Sequence, residues 1–346
     1  MKRIITCSDG TWNKPNQTDE GIISPSNVYK FYKFIPEIGN DSIKQVSFYD
    51  KGVGTDWYDS ITGGMFGMGI NKNILQAYQF IAENYDQGDE IYLTGFSRGA
   101  YTARSVAGFI RNSGLLRKDF VNSKLEDAFT LYKRRDDKSH PNSDEAKEFR
   151  ANYCYENVRI KFIGVWDTVG ELGIPFDLFD IINKDVLNCR FHDVELSGYV
   201  DFAYHAVAID EHRKPFLPTL WEQQPESEQA GQKMEQVWFT GVHSDVGGGY
   251  NEDGLSNCTL YWMIEKAKRV GLHFNEGIIS QDPYDEMHNS MKFYYEIFGS
   301  VNRKMTKDPD YNESVSPTVY NRLNLNTDNY KRKANPNLAK FIKSNN

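Results

Sequence analysis

The fold is decided by one stretch of the sequence, residues 90–100, which read EIYLTGFSRGA. Its first half, residues 90–94, is a short apolar run typical of a buried strand. A G-x-S-x-G motif occupies residues 95–99, and a helical pattern continues from there to about residue 111. A serine between two glycines at a sharp strand-to-helix turn is typical of a nucleophile elbow. The sequence therefore predicts that Ser97 is a nucleophile whose hydroxyl projects above the edge of a sheet.

Strands and helices alternate along the chain on both sides of this stretch. Apolar runs predict six strands: Arg3–Cys7, Val46–Tyr49, Glu90–Gly95, Arg159–Trp166, Phe202–Ala208 and Gln236–Gly241. Helical patterns fall between several of them, and one pattern places apolar residues on a single face from Ile70 to Tyr85. This alternation predicts an α/β fold, with a mostly parallel sheet and helices on both faces. We expect one domain over residues 1–346, with loop insertions at about 115–155 and 171–200.

Composition excludes several classes of protein. The 346 residues include 40 Lys plus Arg and 48 Asp plus Glu, so the formal net charge is −8, which argues against sequence-independent nucleic-acid binding. The four cysteines lack the spacing of a zinc site or a disulfide framework. The apolar stretch at the N-terminus is too short for a signal peptide or a membrane span. We expect a cytoplasmic protein without cofactor or metal, which a signal-independent secretion system could still export.

A nucleophilic serine needs a base, and the base needs an acid that orients it. The chain order expected on such a fold is Ser, then Asp or Glu, then His. Asp167 follows the fourth predicted strand and is the first candidate for the acid, whereas His243 follows the sixth and is the first candidate for the base. Two alternatives stay open, with Asp245 as the acid and His205 as the base. The apolar alternation around His205 favours a buried structural histidine.

The reaction also needs backbone donors for an oxyanion. Arg98 supplies one N–H group at the start of the helix that follows the serine. The loop after the first strand offers Asp9, Gly10 and Thr11 for substrate binding, and the N–H group of Gly10 or Thr11 is the candidate for the second donor. Two apolar segments, residues 63–69 and 173–182, are candidates for a lid over the site.

Two other function classes remain open from the residues alone. Asp9, Asp167, His243 and Asp245 offer the carboxylate and imidazole ligands that suit a divalent metal, so a metal-dependent phosphoesterase is one alternative. The other is a binding module that has a hydrolase fold and no activity. The serine route predicts an ester substrate and transient contact with a membrane surface.

Five stretches of the chain resemble a known family in their sequence and in their order: residues 8–13 (SDGTWN), 95–101 (GFSRGAY), 164–170 (GVWDTVG), 208–213 (AIDEHR) and 241–250 (GVHSDVGGGY). The family is DUF2235, the α/β-hydrolase catalytic domain of Tle1-type phospholipase effectors of type VI secretion. The resemblance extends to about residue 270 and is weaker beyond it. It implies a Ser-Asp-His hydrolase and, in secreted members, a phospholipase that acts on bacterial membrane lipids. The sequence itself identifies no immunity or secretion partner.

Overall fold

The computed structural model of the protein describes residues 1–10, 13–52, 64–134, 136, 139–169, 195–291, 299–324, 330 and 334–343, with only the backbone of 64–68. Nine strands lie in this part of the chain: β1 (Arg3–Ser8), β2 (Thr18–Asp19), β3 (Ile22–Ile23), β4 (Gln45–Asp50), β5 (Glu90–Phe96), β6 (Ile160–Trp166), β7 (Val200–Ala208), β8 (Lys233–Phe239) and β9 (Glu313–Val315). Seven of them form one sheet in the order β4-β1-β5-β6-β7-β8-β9, and all neighbours in it are parallel. The other two, β2 and β3, form a short antiparallel pair.

All six predicted strands are confirmed as members of the large sheet. The last of them, β8, begins three residues earlier than predicted and ends at Phe239 instead of Gly241. Gly241 has φ 106°, a left-handed conformation that turns the chain out of the extended strand. The seventh strand, β9, was not predicted, because three residues are too few to give a period-2 pattern.

Ten α-helices lie in the described part of the chain: α1 (Asn27–Phe34), α2 (Gly64–Asn84), α3 (Arg98–Ser113), α4 (Lys118–Lys133), α5 (Asp144–Tyr153), α6 (Pro225–Gln229), α7 (His243–Gly247), α8 (Gly254–Arg269), α9 (Pro317–Leu323) and α10 (Pro336–Lys343). The apolar face predicted between Ile70 and Tyr85 is buried along α2. This helix begins at Gly64, so most of the candidate lid segment 63–69 lies within its first turns. Not one described helix is both long enough and apolar enough to cross a membrane.

Apolar side chains cover both faces of the sheet, as the alternation of strands and helices predicts. Successive strand residues point to opposite faces. Ile4 accordingly joins a core with α2, α3 and α4, whereas its neighbour Ile5 joins a second core with α1 and α8. Leu93 and Tyr92 divide in the same way. This parallel sheet with helices on both faces is the predicted α/β architecture and is consistent with the α/β-hydrolase type.

The two predicted insertions and the C-terminal part of the chain flank this sheet. The described residues of 115–155 belong mostly to α4 and α5, which contact α3. Residues 170–194, which include the candidate lid segment 173–182, lie outside the described residues. Beyond α8, β9 extends the sheet, and a third apolar cluster joins Val207 and Trp238 of the sheet to α9 and α10.

Candidate active site

A strained turn joins β5 to α3, and Ser97 occupies its apex. Ser97 has φ 57° and ψ −120°, a conformation that non-glycine residues rarely adopt. The flanking glycines are required by close backbone packing. A Cβ atom on Gly95 would lie 2.2 Å from the carbonyl oxygen of Gly99, and one on Gly99 would lie 2.0 Å from that of Ser8. The turn therefore has the geometry of a nucleophile elbow.

The carboxylate of Asp167 and the imidazole of His243 meet beside this elbow. Asp167 directly follows β6, the neighbour of β5, and has φ 37°. Its Oδ2 atom lies 2.6 Å from His243 Nδ1, and its Oδ1 atom accepts a hydrogen bond of 2.9 Å from the N–H group of Ala208. The structure thus brings together the first candidates for the acid and the base, which are 76 residues apart in the sequence.

The imidazole of His243 lies against two aromatic rings. Its centroid is 4.5 Å from that of Phe96, the residue before Ser97, and 5.0 Å from that of Phe216. Burial lowers the pKa of His243, and the hydrogen bond and charge of Asp167 only partly oppose this effect. The environment therefore favours a neutral imidazole, the form that can accept a proton.

Arg303, a residue that sequence analysis did not identify, lies behind the carboxylate. Its Nη1 atom donates to Asp167 Oδ1 at 2.6 Å and its Nη2 atom to Oδ2 at 2.9 Å, and both side chains are fully buried. Burial alone would raise the pKa of Asp167, but the charge of Arg303 and the hydrogen bond with His243 lower it overall. Asp167 is therefore ionised over the whole physiological pH range.

Glu211 fixes the start of α7, the helix that begins with His243. Its Oε2 atom accepts a hydrogen bond of 3.2 Å from the N–H group of His243 and one of 2.8 Å from Arg213 Nη2. The guanidinium of Arg213 lies 3.6 Å from the ring centroid of Phe216, which in turn contacts the imidazole. This buried ion pair orients both the backbone and the ring surroundings of the candidate base.

Asp245, the alternative acid, lies away from His243 and binds a different histidine. Its Oδ1 atom is 2.7 Å from His288 Nδ1, and its Oδ2 atom accepts from the N–H group of Val242, which caps α7. Residues two apart on a helix project in different directions, so Asp245 and His243 face different surroundings. Of the two candidate acids, the structure places Asp167 in contact with His243 and Asp245 in contact with His288.

His205, the alternative base, is fully buried within β7, and both of its ring nitrogens are hydrogen-bonded. Nε2 accepts from the N–H group of Thr168 at 3.1 Å, and Nδ1 lies 3.1 Å from Gln236 Oε1. Burial lowers the pKa of His205 to about 3. Its position is that of the buried, hydrogen-bonded histidine that the alternation in β7 favoured, and both ring nitrogens of this alternative base are engaged within the fold.

The loop after β1 runs against the elbow but differs from the expectation in detail. A Cβ atom on Gly10 would lie 3.2 Å from Ser97 Cβ, so glycine permits this close approach. The N–H group of Gly10 donates to its neighbour Asp9 at 2.8 Å and is therefore not aimed at an oxyanion. Thr11, the other candidate donor, lies outside the described residues. The N–H group of Arg98 belongs to the first residue of α3, directly after the nucleophile.

Asp9, the third candidate in this loop, is buried and hydrogen-bonded within the fold. Its carboxylate is buried and accepts hydrogen bonds from the hydroxyls of Ser26 and Tyr49 and from Asn13 Nδ2. Burial raises the pKa of Asp9, although these hydrogen bonds oppose the shift. Together with the N–H group of Gly10, these side chains make four donors on one carboxylate, which indicates a structural role that ties the loop to β4 and to the start of α1.

The glycine-rich segment after His243 packs against the elbow. A Cβ atom on Gly247 would lie 2.0 Å from the ring of Phe96, and one on Gly248 would lie 2.7 Å from the backbone nitrogen of Asn27. These glycines allow α7 to lie close to both β5 and α1. A Cβ atom at either position would displace the helix that begins with His243.

The four residues considered for a metal do not form one cluster. Asp9, Asp167 and Asp245 each bind different partners, and the one close group of metal-type ligands in the described chain is Asp19, Glu252 and His288. In that group, His288 Nε2 lies 3.4 Å from Glu252, and the hydrogen bond of Asp245 contributes to raising the pKa of His288 despite its burial. The contacts of the His288 imidazole with Asp245 and Glu252 account for this arrangement. The metal-dependent alternative therefore loses its proposed ligand set.

Comparison with known proteins adds one family match and one curated relative. The family model "T6SS, Phospholipase effector Tle1-like, catalytic domain" matches residues 2–266. "Uncharacterized protein YEL023C" of Saccharomyces cerevisiae is 30% identical over 236 residues, which make up 62% of this chain and 32% of that protein. The chain thus spans about a third of the length of this relative.

Two solved structures are also similar. One is described as "Crystal structure of an uncharacterized protein from Pseudomonas aeruginosa" and has 18% identity and a TM-score of 0.47, over 87% of this chain and 49% of that one. The other is "Structure of the Tle1 effector bound to the VgrG spike from the Type 6 secretion system". It has 17% identity and a TM-score of 0.38, over 72% of this chain and 51% of that one.

Proposed function

Because the chain belongs to the family of T6SS phospholipase effectors with a Tle1-like catalytic domain, we propose that it is a serine hydrolase of phospholipid carboxylic esters. The observation that carries this proposal is the 2.6 Å contact between Asp167 and His243 beside the Ser97 elbow. A strained serine, a buried neutral imidazole and an ionised carboxylate are the three parts of an acyl-transfer site. The family description names type VI secretion, and delivery of this protein by that route is part of the same proposal.

The reaction proceeds through an acyl-enzyme. His243 Nε2 accepts the proton of Ser97 as Oγ attacks the ester carbonyl carbon, and Asp167 holds the Nδ1–H tautomer and stabilises the imidazolium. The tetrahedral intermediate collapses, the C–O bond to the alcohol breaks, and the leaving lysolipid takes the proton from His243. Water then attacks the acyl group by the same route, so that fatty acid is released and Ser97 is restored.

Negative charge develops on the carbonyl oxygen in both steps. We assign the N–H group of Arg98 to this oxyanion because it directly follows the nucleophile and opens α3, where the helix dipole favours negative charge. The second donor stays a prediction for the loop after β1. One such donor typically contributes about 3 kcal/mol of transition-state stabilisation.

A product assay tests the proposal. Purified wild type, Ser97→Ala and His243→Ala are incubated with a phospholipid mixture and a short-chain ester, each with and without EDTA, and products are identified by mass spectrometry. Ser123→Ala and His140→Ala are the matched controls, because both side chains are exposed and lie away from the site.

The expected result is fatty acid and lysolipid from wild type and both controls, in the presence or absence of EDTA, and neither product from the two site variants. Product that needs a metal and survives Ser97→Ala would contradict the serine mechanism and favour a metal-dependent phosphoesterase. A folded wild type that yields no product from any substrate would favour a binding module.

A further inference from the structure

We propose that Arg303 is a positioning residue that acts through Asp167, holding the carboxylate in the orientation that His243 requires and balancing its negative charge. This inference rests on the proposed function, since it assigns a role within the same site. Arg303 lies outside residues 2–266, the part of the chain that the family model matches. A segment beyond the matched region therefore completes the site.

The guanidinium of Arg303 contacts both carboxylate oxygens of Asp167 in a bidentate arrangement, at 2.6 and 2.9 Å. It also donates to the carbonyl oxygens of Ala208 and Phe216, so two fixed backbone groups determine its own position. A planar fork with four acceptors leaves the carboxylate little freedom to rotate. Lysine presents a single ammonium and does not reproduce this arrangement.

The backbone around Arg303 is anchored to the end of β7. The carbonyl oxygen of Arg303 accepts hydrogen bonds of 2.9 Å from the side-chain amides of Asn335 and Asn337. Asn335 itself donates to the carbonyl oxygen of Ile209 at 3.1 Å and to Asp210 Oδ1 at 3.2 Å. The C-terminal part of the chain is thus attached to the strand beside Asp167, which explains how a residue 136 positions away reaches the site.

Charge balance gives Arg303 a second effect. A buried carboxylate without a compensating cation would either take up a proton itself or hold one on the neighbouring imidazole. With Arg303 in contact, Asp167 stays ionised while His243 is not forced to carry a positive charge. The other charged groups near His243 are Arg213, which lowers its pKa, and Glu211, which raises it, and these two oppose each other. Arg303 therefore extends to lower pH the range in which the pair has an ionised acid and a neutral base.

The test compares Arg303→Lys and Arg303→Met with wild type and with Arg322→Met. Arg322 is a matched control: it is buried in α9, and its Nη1 atom donates to the carbonyl oxygens of Asp285 and Pro283, away from the triad. The rate constant kcat/KM for a soluble short-chain ester is measured against pH and normalised to the fraction of enzyme that a fluorophosphonate labels. The ring protons of His243 are titrated in parallel by NMR.

We expect Arg303→Met to move the acid limb of kcat/KM, and the NMR titration of His243, to higher pH by about one unit. In Arg303→Met, kcat/KM on the alkaline plateau falls by about tenfold. Arg303→Lys gives intermediate values, and Arg322→Met retains the acid limb of wild type. The proposal would be overturned if both Arg303 variants had a lower labelled fraction but the acid limb of kcat/KM and the His243 titration of wild type. Arg303 would then give structural support alone. If Arg303→Met does not fold, the pH profile and His243 titration of Arg303→Lys test the proposal. If wild type hydrolyses no ester, the proposed function fails, and the His243 titration still tests Arg303.

Discussion

Two Asp–His pairs meet at α7, and their hydrogen bonds are almost identical. In the inner pair, Asp167 Oδ2 lies 2.6 Å from His243 Nδ1, and in the outer pair, Asp245 Oδ1 lies 2.7 Å from His288 Nδ1. Each pair has one member on this one-turn helix. The pKa of the inner imidazole is nevertheless lowered, whereas that of the outer one is raised.

The difference comes from the surroundings of each pair. His243 is 5% exposed and lies between two aromatic rings, and the charge of its carboxylate is balanced by Arg303. The outer imidazole is half-buried, and its Nε2 atom faces a second carboxylate, that of Glu252, at 3.4 Å. The same kind of hydrogen bond therefore accompanies a lowered imidazole pKa in the inner pair and a raised one in the outer pair, because burial and neighbouring charge determine the direction of the shift.

The largest expected effect separates the two pairs by activity. Asp167→Asn is expected to lower kcat for ester hydrolysis by about 10⁴-fold, as in serine proteases, because the amide no longer fixes the proton-accepting tautomer. Asp245→Asn is the matched change in the outer pair and is expected to cost less than about threefold. Steady-state kinetics of both variants on one soluble ester check this. Similar losses in the two variants would show that the pairs are not functionally distinct.

A smaller effect is expected from the helix that joins the pairs. In Gly247→Ala the new Cβ would lie 2.0 Å from the ring of Phe96, and α7 must shift to relieve this contact. We expect kcat/KM to fall by about 10- to 100-fold, because His243 is displaced, and the free energy of unfolding to fall by about 1–3 kcal/mol.

Gly108→Ala is the control for this change, because a Cβ there lies 3.6 Å from its nearest neighbour, in ordinary contact within α3. Its activity should be that of wild type and its stability equal or slightly higher. Urea unfolding and ester kinetics measure both quantities. Wild-type activity in Gly247→Ala would mean that the position of α7 does not control the base.

The smallest expected effect concerns stability against pH. The pKa of His288 is raised in the fold, so its charged form stabilises the protein fully below the ordinary value of 6.5, and this contribution disappears as pH rises through the raised pKa. His288→Gln is therefore expected to cost about 1 kcal/mol or less near pH 5.5 and nothing at alkaline pH.

For the inner pair, stability should change with pH in the opposite direction. Because the pKa of His243 is lowered in the fold, the unfolded chain binds more protons just below pH 6.5, and wild type loses stability there as pH falls. His243→Gln removes this dependence, so its stability relative to wild type should improve toward low pH. Unfolding in urea at several pH values tests both variants, and trends of the same sign would contradict the comparison.

The sequence predicted those features that depend on residues close together in the chain. Six strands were predicted from short apolar runs, and Asp167 and His243 were singled out because they follow strands whose ends share one edge of a parallel sheet. The roles of these residues remain predictions. Asp245 could not be separated from Asp167 in advance, because its direction depends on α7, a helix too short to give a periodic pattern.

Arg303 had no signal in the sequence. Its partner Asp167 is 136 residues away, and the surrounding residues form neither a motif nor an amphipathic pattern. The pairing of Asp245 with His288, 43 residues apart, was hidden for the same reason. Contacts of this kind are determined by tertiary packing, which local spacing does not encode.

Labelling with a fluorophosphonate tests the central claim most directly. Wild type is treated at pH 7, its intact mass is measured, and the modified peptide is sequenced by mass spectrometry. We predict one adduct per chain, located on Ser97, together with no adduct in Ser97→Ala and strongly reduced labelling in His243→Ala. Folded wild type that remains unlabelled, or an adduct that persists in Ser97→Ala, would contradict the assignment of Ser97 as the nucleophile.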